Sequence, residues 1–117
     1  MEKKKIEVEV QNNLDWLQKF KNSERLFTSR QVGNLFGFAS GTEFNILMER
    51  KYQLLLKRGN RWFPSLRMDK DFVKIIIGID NFGEGYISLR WTTIGVLGVA
   101  KMFNLKLKEE NLERLMV

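Results

Sequence analysis

The chain has 117 residues, 44% apolar and 29% charged, a balance that supports one domain with its own core. It contains no cysteine and no histidine, which excludes disulfides, thiolate metal sites, cysteine nucleophiles and every catalytic arrangement built on imidazole. Its net charge of +6 is local: Arg50 to Lys74 holds eight of the 20 basic residues and two of the 14 acidic ones, so the remainder carries 12 of each sign and cancels.

Met1 to Val10 has lysines, but the apolar run behind them is broken by Glu7 and Glu9, unlike a signal peptide. No stretch approaches the roughly 20 apolar residues of a membrane span. The expectation is a soluble intracellular protein with no membrane association.

In chain order, Ile6, Val8 and Val10 alternate with acids, the pattern of a short strand or a frayed arm. Asn12 or Asn13 can cap a helix with Leu14, Leu17 and Phe20 on one face, ending at Asn22-Ser23. Thr28 or Ser29 can cap a helix over Arg30 to Phe36, with Val32, Leu35 and Phe36 as its apolar face and Gly37 as its stop. Gly33 costs this helix about 1 kcal/mol relative to alanine, which a close helix crossing would explain. Ser40 or Thr42 can start a third helix, to about Lys51, with Phe44, Leu47 and Met48 as its stripe.

Leu54 to Lys57 and Arg61 to Phe63 read as strands joined by a hairpin turn at Arg58-Gly59-Asn60 and stopped by Pro64. Phe72 to Ile79 and Tyr86 to Trp91 form a second hairpin about the turn Asn81–Gly85. Ile87, Leu89 and Trp91 fall on one face of its second strand. Thr92 or Thr93 can cap a helix to about Phe103, apolar through Ile94, Leu97, Val99, Ala100 and Phe103, with Gly95 and Gly98 at close contacts. Leu112, Leu115 and Met116 give the last segment helical spacing. The expected core is Phe36, Phe44, Leu47, Trp62, Ile87, Leu89, Trp91, Leu97 and Phe103.

Thr28 to Lys51 has the spacing of a helix-turn-helix, in which two braced helices allow one to enter the major groove. A structural helical hairpin has the same spacing. Six cations and no carboxylate from Arg50 to Arg67 set the following hairpin apart from an ordinary charged turn, because cations there can neutralise phosphates. The outward positions of the second helix are expected to be Thr42, Glu43, Asn45, Glu49 and Arg50. Asn45 suits adenine and Arg50 suits guanine or a phosphate. Glu43 and Glu49 would repel phosphates and suit a protein partner. Trp62, Phe63, Trp91 and Phe103 read as core rather than base-stacking platforms. Asp69, Asp71 and Asp80 lack a calcium-loop spacing, and no metal or cofactor is expected. With no histidine, cysteine or motif-borne carboxylate pair, an enzyme is not expected.

The order of short motifs adds a further reading. Leu26-Phe27-Thr28-Ser29-Arg30-Gln31-Val32-Gly33-Asn34-Leu35-Phe36-Gly37 is followed by Tyr52-Gln53, then Lys57-Arg58-Gly59-Asn60-Arg61-Trp62-Phe63-Pro64, then Leu89-Arg90-Trp91-Thr92-Thr93-Ile94-Gly95. This series resembles the phage antirepressor C-terminal domain, also called the KilA C-terminal or ANT domain, over about residues 26–104. Ile94 stands where that family has lysine, the turn around Ser40-Gly41 is one residue longer, and 25 residues stand where family members carry a separate N-terminal domain. The resemblance implies a phage protein acting in the cytoplasm of an infected or lysogenic bacterial host, binding DNA or a repressor complex.

Together these readings predict an α+β fold: a single winged helix-turn-helix-like domain over 1–117 with two β-hairpins and a C-terminal helix. Residues 26–104 would form the antirepressor-like core, 1–25 a strand and helix, and 105–117 a helical extension. The expected function is duplex DNA binding through Thr42, Asn45, Arg50, Lys51, Lys57, Arg58, Arg61 and Arg67. The alternative is an inhibitor on the same scaffold that sequesters a repressor or a host defence protein. Homodimerisation is left open.

Overall fold

The structure, a computed structural model, describes residues 18–20 and 22–116. The strand expected at Ile6–Val10 and most of the helix after it lie outside these residues. The described chain runs α1 (Ser29–Leu35), α2 (Gly41–Arg50), β1 (Leu55–Arg58), β2 (Arg61–Pro64), β3 (Val73–Ile79), β4 (Gly85–Trp91), α3 (Thr93–Met102) and α4 (Glu109–Met116). It is a small α+β protein whose described strands form two antiparallel two-stranded sheets.

Local chemistry sets the helix ends. The Thr28 hydroxyl accepts from the Gln31 N–H at 3.1 Å, and the Gln31 side chain accepts from the Thr28 N–H at 2.9 Å. This reciprocal capping box satisfies two donors that a helix start otherwise leaves free. Gly37, at φ +87°, takes the left-handed conformation that ends α1. Gly33 lies at the crossing with α2, where a Cβ would sit 3.0 Å from that of Phe44. The close crossing expected at Gly33 is therefore present.

After α2 the chain reverses at Gln53, a non-glycine residue at φ +59°. The Ser65 hydroxyl holds the reversal by donating to the Gln53 carbonyl at 2.6 Å. β1 and β2 pair from Leu55↔Pro64 to Arg58↔Arg61, leaving Gly59-Asn60 as a two-residue turn. Pro64 is the last residue of β2 rather than the stop beyond it, an end position where a missing N–H is tolerated. In the second hairpin Val73 pairs with Trp91 and Ile79 with Gly85. Asp80 organises its turn, its Oδ1 accepting from the N–H groups of Phe82 and Glu84, each at 2.9 Å.

The core gathers Phe20, Phe27, Val32, Leu35, Phe44, Met48, Trp91, Val96 and Val99. Trp91 sits at the junction. Its ring meets Phe44 edge-on at 5.3 Å, its indole N–H donates to the Ser29 hydroxyl at 3.1 Å, and its backbone pairs with Phe27. Thr92 then caps α3. The last helix docks on the same chain. The Lys108 N–H donates to the Leu35 carbonyl at 2.6 Å, the Asn111 side chain donates to the Asn34 carbonyl at 2.7 Å, and Leu112 is buried. The first satisfies a carbonyl that the end of α1 leaves open, and the second adds to the Asn34 carbonyl, which also accepts from the Gly37 N–H at 3.1 Å.

Two parts of the expected core are corrected. Ile87 is 38% exposed, because β3 and β4 extend past the helices that cover their base. Phe36, Leu47, Trp62, Leu89, Leu97 and Phe103 are half-buried, whereas Phe44 and Trp91 are fully buried. In α3 the inward face is Thr93, Gly95, Val96 and Val99, and Ile94 is 57% exposed. Gly95 dictates this rotation: a Cβ there would lie 2.1 Å from the Phe72 carbonyl oxygen, so this side of the helix can press onto the chain entering β3.

Two substitutions test the packing. Phe44→Ala should cost about 3–5 kcal/mol by urea denaturation, since its ring joins Phe36, Phe38 and Trp91. Gly95→Ala would ordinarily stabilise a helix by about 1 kcal/mol. Here it should destabilise by about 1–3 kcal/mol, because backbone occupies the space the methyl needs.

Candidate nucleic-acid interface

The six cations among the expected binding residues divide into three groups. Lys57, Arg58 and Arg61 stand exposed at the tip of the β1–β2 hairpin, with Arg58 and Arg61 cross-strand neighbours. The two-residue turn brings them together, since one tight reversal places both strand ends side by side. Lys57 lies over the Trp62 ring, 5.4 Å from its centroid. Arg50 and Lys51 are exposed at the end of α2, and Lys51 lies 5.5 Å from the Tyr52 ring centroid. Arg67 is exposed in the segment after β2. Among the described residues, none of these six cations is paired with a carboxylate.

Thr42 is exposed at the start of α2, as expected. Asn45 is not outward. It is only 6% exposed and lies on the inner side of α2 with Phe44 and Met48. The buried side of α2 is formed by 44, 45 and 48 rather than by 44, 47 and 48, since Leu47 is half-buried and Asn45 takes the more enclosed place. Half-exposed Ile46 takes the outward place instead, beside Thr42, Glu43, Glu49 and Arg50.

Asn45 nevertheless lines a cleft, together with Ser29, Arg30, Ser40, Thr42 and Trp62. Its Oδ1 is buried with no hydrogen-bond partner among the described residues. The cleft therefore brings residues from the starts of α1 and α2 beside Trp62 of the basic hairpin. Arg30 and Ser29 were not among the expected site residues. They stand at the start of α1, and it is Gly41 that brings them near: a Cβ at Gly41 would lie 2.6 Å from the Arg30 backbone nitrogen.

Glu43 has a local role. Its N–H donates to the Ser40 hydroxyl and its carboxylate accepts from the Ala39 N–H, each at 3.1 Å. An acid at this position also complements the positive end of the helix dipole. Glu43 therefore has a reason to be present that involves no partner.

Of the aromatic residues, Trp91 is buried in the core and Phe103 stacks on Tyr52 with centroids 3.5 Å apart. Trp62 is half-buried beneath Lys57. Asp69 is a turn residue whose Oδ1 accepts from the Asp71 N–H at 2.8 Å. A second cleft, around Arg25, Lys70, Lys74 and Thr92, includes Glu24 and Asp71 and so mixes both signs of charge. No helix among the described residues is long and apolar enough to cross a membrane.

No protein-family model matches this sequence, and no curated protein or solved structure is significantly similar to it.

The unpartnered oxygen of Asn45 makes its own prediction. Asn45→Leu, which keeps the same branched four-atom shape, removes a buried acceptor that has no donor and should raise stability by about 1–2 kcal/mol. A higher thermal midpoint by circular dichroism is the expected readout.

Proposed function

We propose that the protein binds duplex DNA as a winged helix-turn-helix-like regulator of the phage antirepressor type. In this reading α2 approaches the major groove, and the β1–β2 hairpin follows the adjacent phosphate backbone as a wing. The observation that carries it is the exposed cation set of Arg50, Lys51, Lys57, Arg58, Arg61 and Arg67, spread over a helix end and the hairpin beside it with no acid in that stretch. Such cations release counterions from DNA, which gives affinity without sequence preference. Sequence reading then falls to Thr42 and Arg50, since Asn45 faces inward. No residue is assigned a catalytic role.

The local role of Glu43 at the start of α2 accounts for one of the two outward acids without a protein partner, while its charge still opposes phosphates. Glu49 is the other. A second reading, an inhibitor that sequesters a repressor or a host defence protein, draws on Ile46, an apolar residue beside Glu49 in the outward arc.

Replacing Lys57, Arg58 and Arg61 together with alanine tests the wing. The slope of log K against log[salt] on random duplex should flatten by about 2–3 units, at roughly 0.9 per lost phosphate contact. Stability should move by no more than about 0.5 kcal/mol, as for other surface changes. An unchanged slope removes the wing from the interface, and a parent protein with no salt-sensitive duplex binding favours the inhibitor.

A further inference from the structure

The β3–β4 ribbon pairs Lys74 with Arg90, Ile76 with Ser88 and Gly78 with Tyr86. Alternate residues of a strand share a face, so these six make up one side of the ribbon, opposite the side that begins in the core with Val73 and Trp91. Lys74 is exposed, Arg90 and Ser88 are half-buried, and Tyr86 is 42% exposed. Gly78 makes room for the Tyr86 ring on this side: a Cβ there would lie 2.5 Å from it. Lys74 and Arg90 stand directly opposite one another, and like charges in that position destabilise a strand pair. Among the described residues neither is paired with a carboxylate. Glu24 and Asp71 line the cleft that Lys74 also lines, but they form no ion pair with it. Every polar side chain on this side can donate a hydrogen bond, and none is an acid. The next acid along β3, Asp80, is taken up by the turn, where it accepts from the N–H groups of Phe82 and Glu84.

We propose that this side of the ribbon is a second phosphate-contacting strip of the DNA interface. Lys74 and Arg90 neutralise backbone phosphates there, and the hydroxyls of Ser88 and Tyr86 donate to phosphate oxygens. The proposal rests on the duplex-binding reading and extends it from α2 and the wing to the ribbon. Three observations favour a duplex backbone as the partner. The first is the donor set, since phosphate oxygens accept from cations and hydroxyls alike and repel acids. The second is the facing cations. Arg58 and Arg61 repeat the arrangement on the wing, and a polyanion turns such a pair from a cost into a source of affinity. The third is placement. β2 packs beside β4, so the two hairpins adjoin, and Lys74 is one of the two cations of the stretch from Arg50 to Lys74 that α2, the wing and Arg67 leave unused. With no amide or second guanidinium at hand to read a base edge, the strip adds affinity rather than sequence preference.

The test is a salt titration of the full chain on random-sequence duplex DNA. The double variant Lys74→Gln, Arg90→Gln should flatten the slope of log K against log[salt] by about 1–2 units, at roughly 0.9 per lost contact. Its thermal midpoint by circular dichroism should equal or exceed the parent's, because the change relieves a like-charge pair. Lys101→Gln with Lys106→Gln removes the same charge from exposed positions elsewhere and should leave the slope as it is. The exchange Lys74→Arg, Arg90→Lys keeps both cations and should also keep the slope. A parent with no salt-sensitive duplex binding overturns the DNA reading and this proposal together. A parent whose slope falls with the wing variant but not with the Lys74, Arg90 variant overturns this proposal alone. An equal fall with Lys101 and Lys106 overturns it as well, because net charge rather than this strip would then set the slope. A lowered thermal midpoint in the Lys74, Arg90 variant does so too, by giving the pair a folding role.

Discussion

Trp91 is the point on which the architecture depends. It is the last residue of β4, and the next residue caps α3, so its position fixes where the ribbon ends and where that helix begins. Its backbone exchanges both hydrogen bonds with Phe27, at 2.8 and 2.7 Å, which ties the entry to α1 to the ribbon's base. The indole N–H finds the Ser29 hydroxyl, so the largest buried ring in the core leaves no polar group unsatisfied. Through Phe44 the same ring braces α2. The helix pair, the ribbon and α3 therefore share one side chain, and the basic hairpin is held by what α2 and Trp62 pack against.

Most elements were legible because each carries a local instruction that tertiary packing did not override. Residue type and spacing narrow each cap to two candidates, of which Thr28, Ser40 and Thr92 hold the place, accepting from the N–H groups of Gln31, Glu43 and Gly95. Gly37 and Gly59 occupy the left-handed conformations that such turns require. Several residues behind the antirepressor resemblance have plain structural work here: Gln31 closes a capping box, Gln53 turns the chain, Trp91 centres the core and Gly95 admits Phe72. These residues are therefore accounted for by folding alone, without a binding role.

What was not legible depends on which neighbour covers which face. Asn45 reads as outward from helical spacing alone, yet in the packed protein it is 6% exposed on the inner side of α2 with Phe44 and Met48. Ile87 reads as core because alternation identifies a face but not how far along a strand the covering layer extends. The inward side of α3 is hidden for a related reason. Its lining includes Thr93 and Gly95, residue types that hydrophobic periodicity ignores, and it displaces Ile94 to the surface. Contacts between Leu35 and Lys108, or Asn34 and Asn111, join residues too distant in sequence for any spacing to announce.

The two hairpins divide the surface chemistry. The short one is compact, basic and closed by a two-residue turn beside α2; the long one is apolar on one side and nearly free of charge along it. A backbone-amide NMR titration of the full chain with a random-sequence duplex distinguishes them most directly. The DNA reading predicts that shifts at low salt concentrate in residues 42–67, with Thr42, Arg50, Lys57, Arg58 and Arg61 foremost, and shrink as salt is raised. Shifts confined to residues 75–87, or no shifts at all, would contradict it.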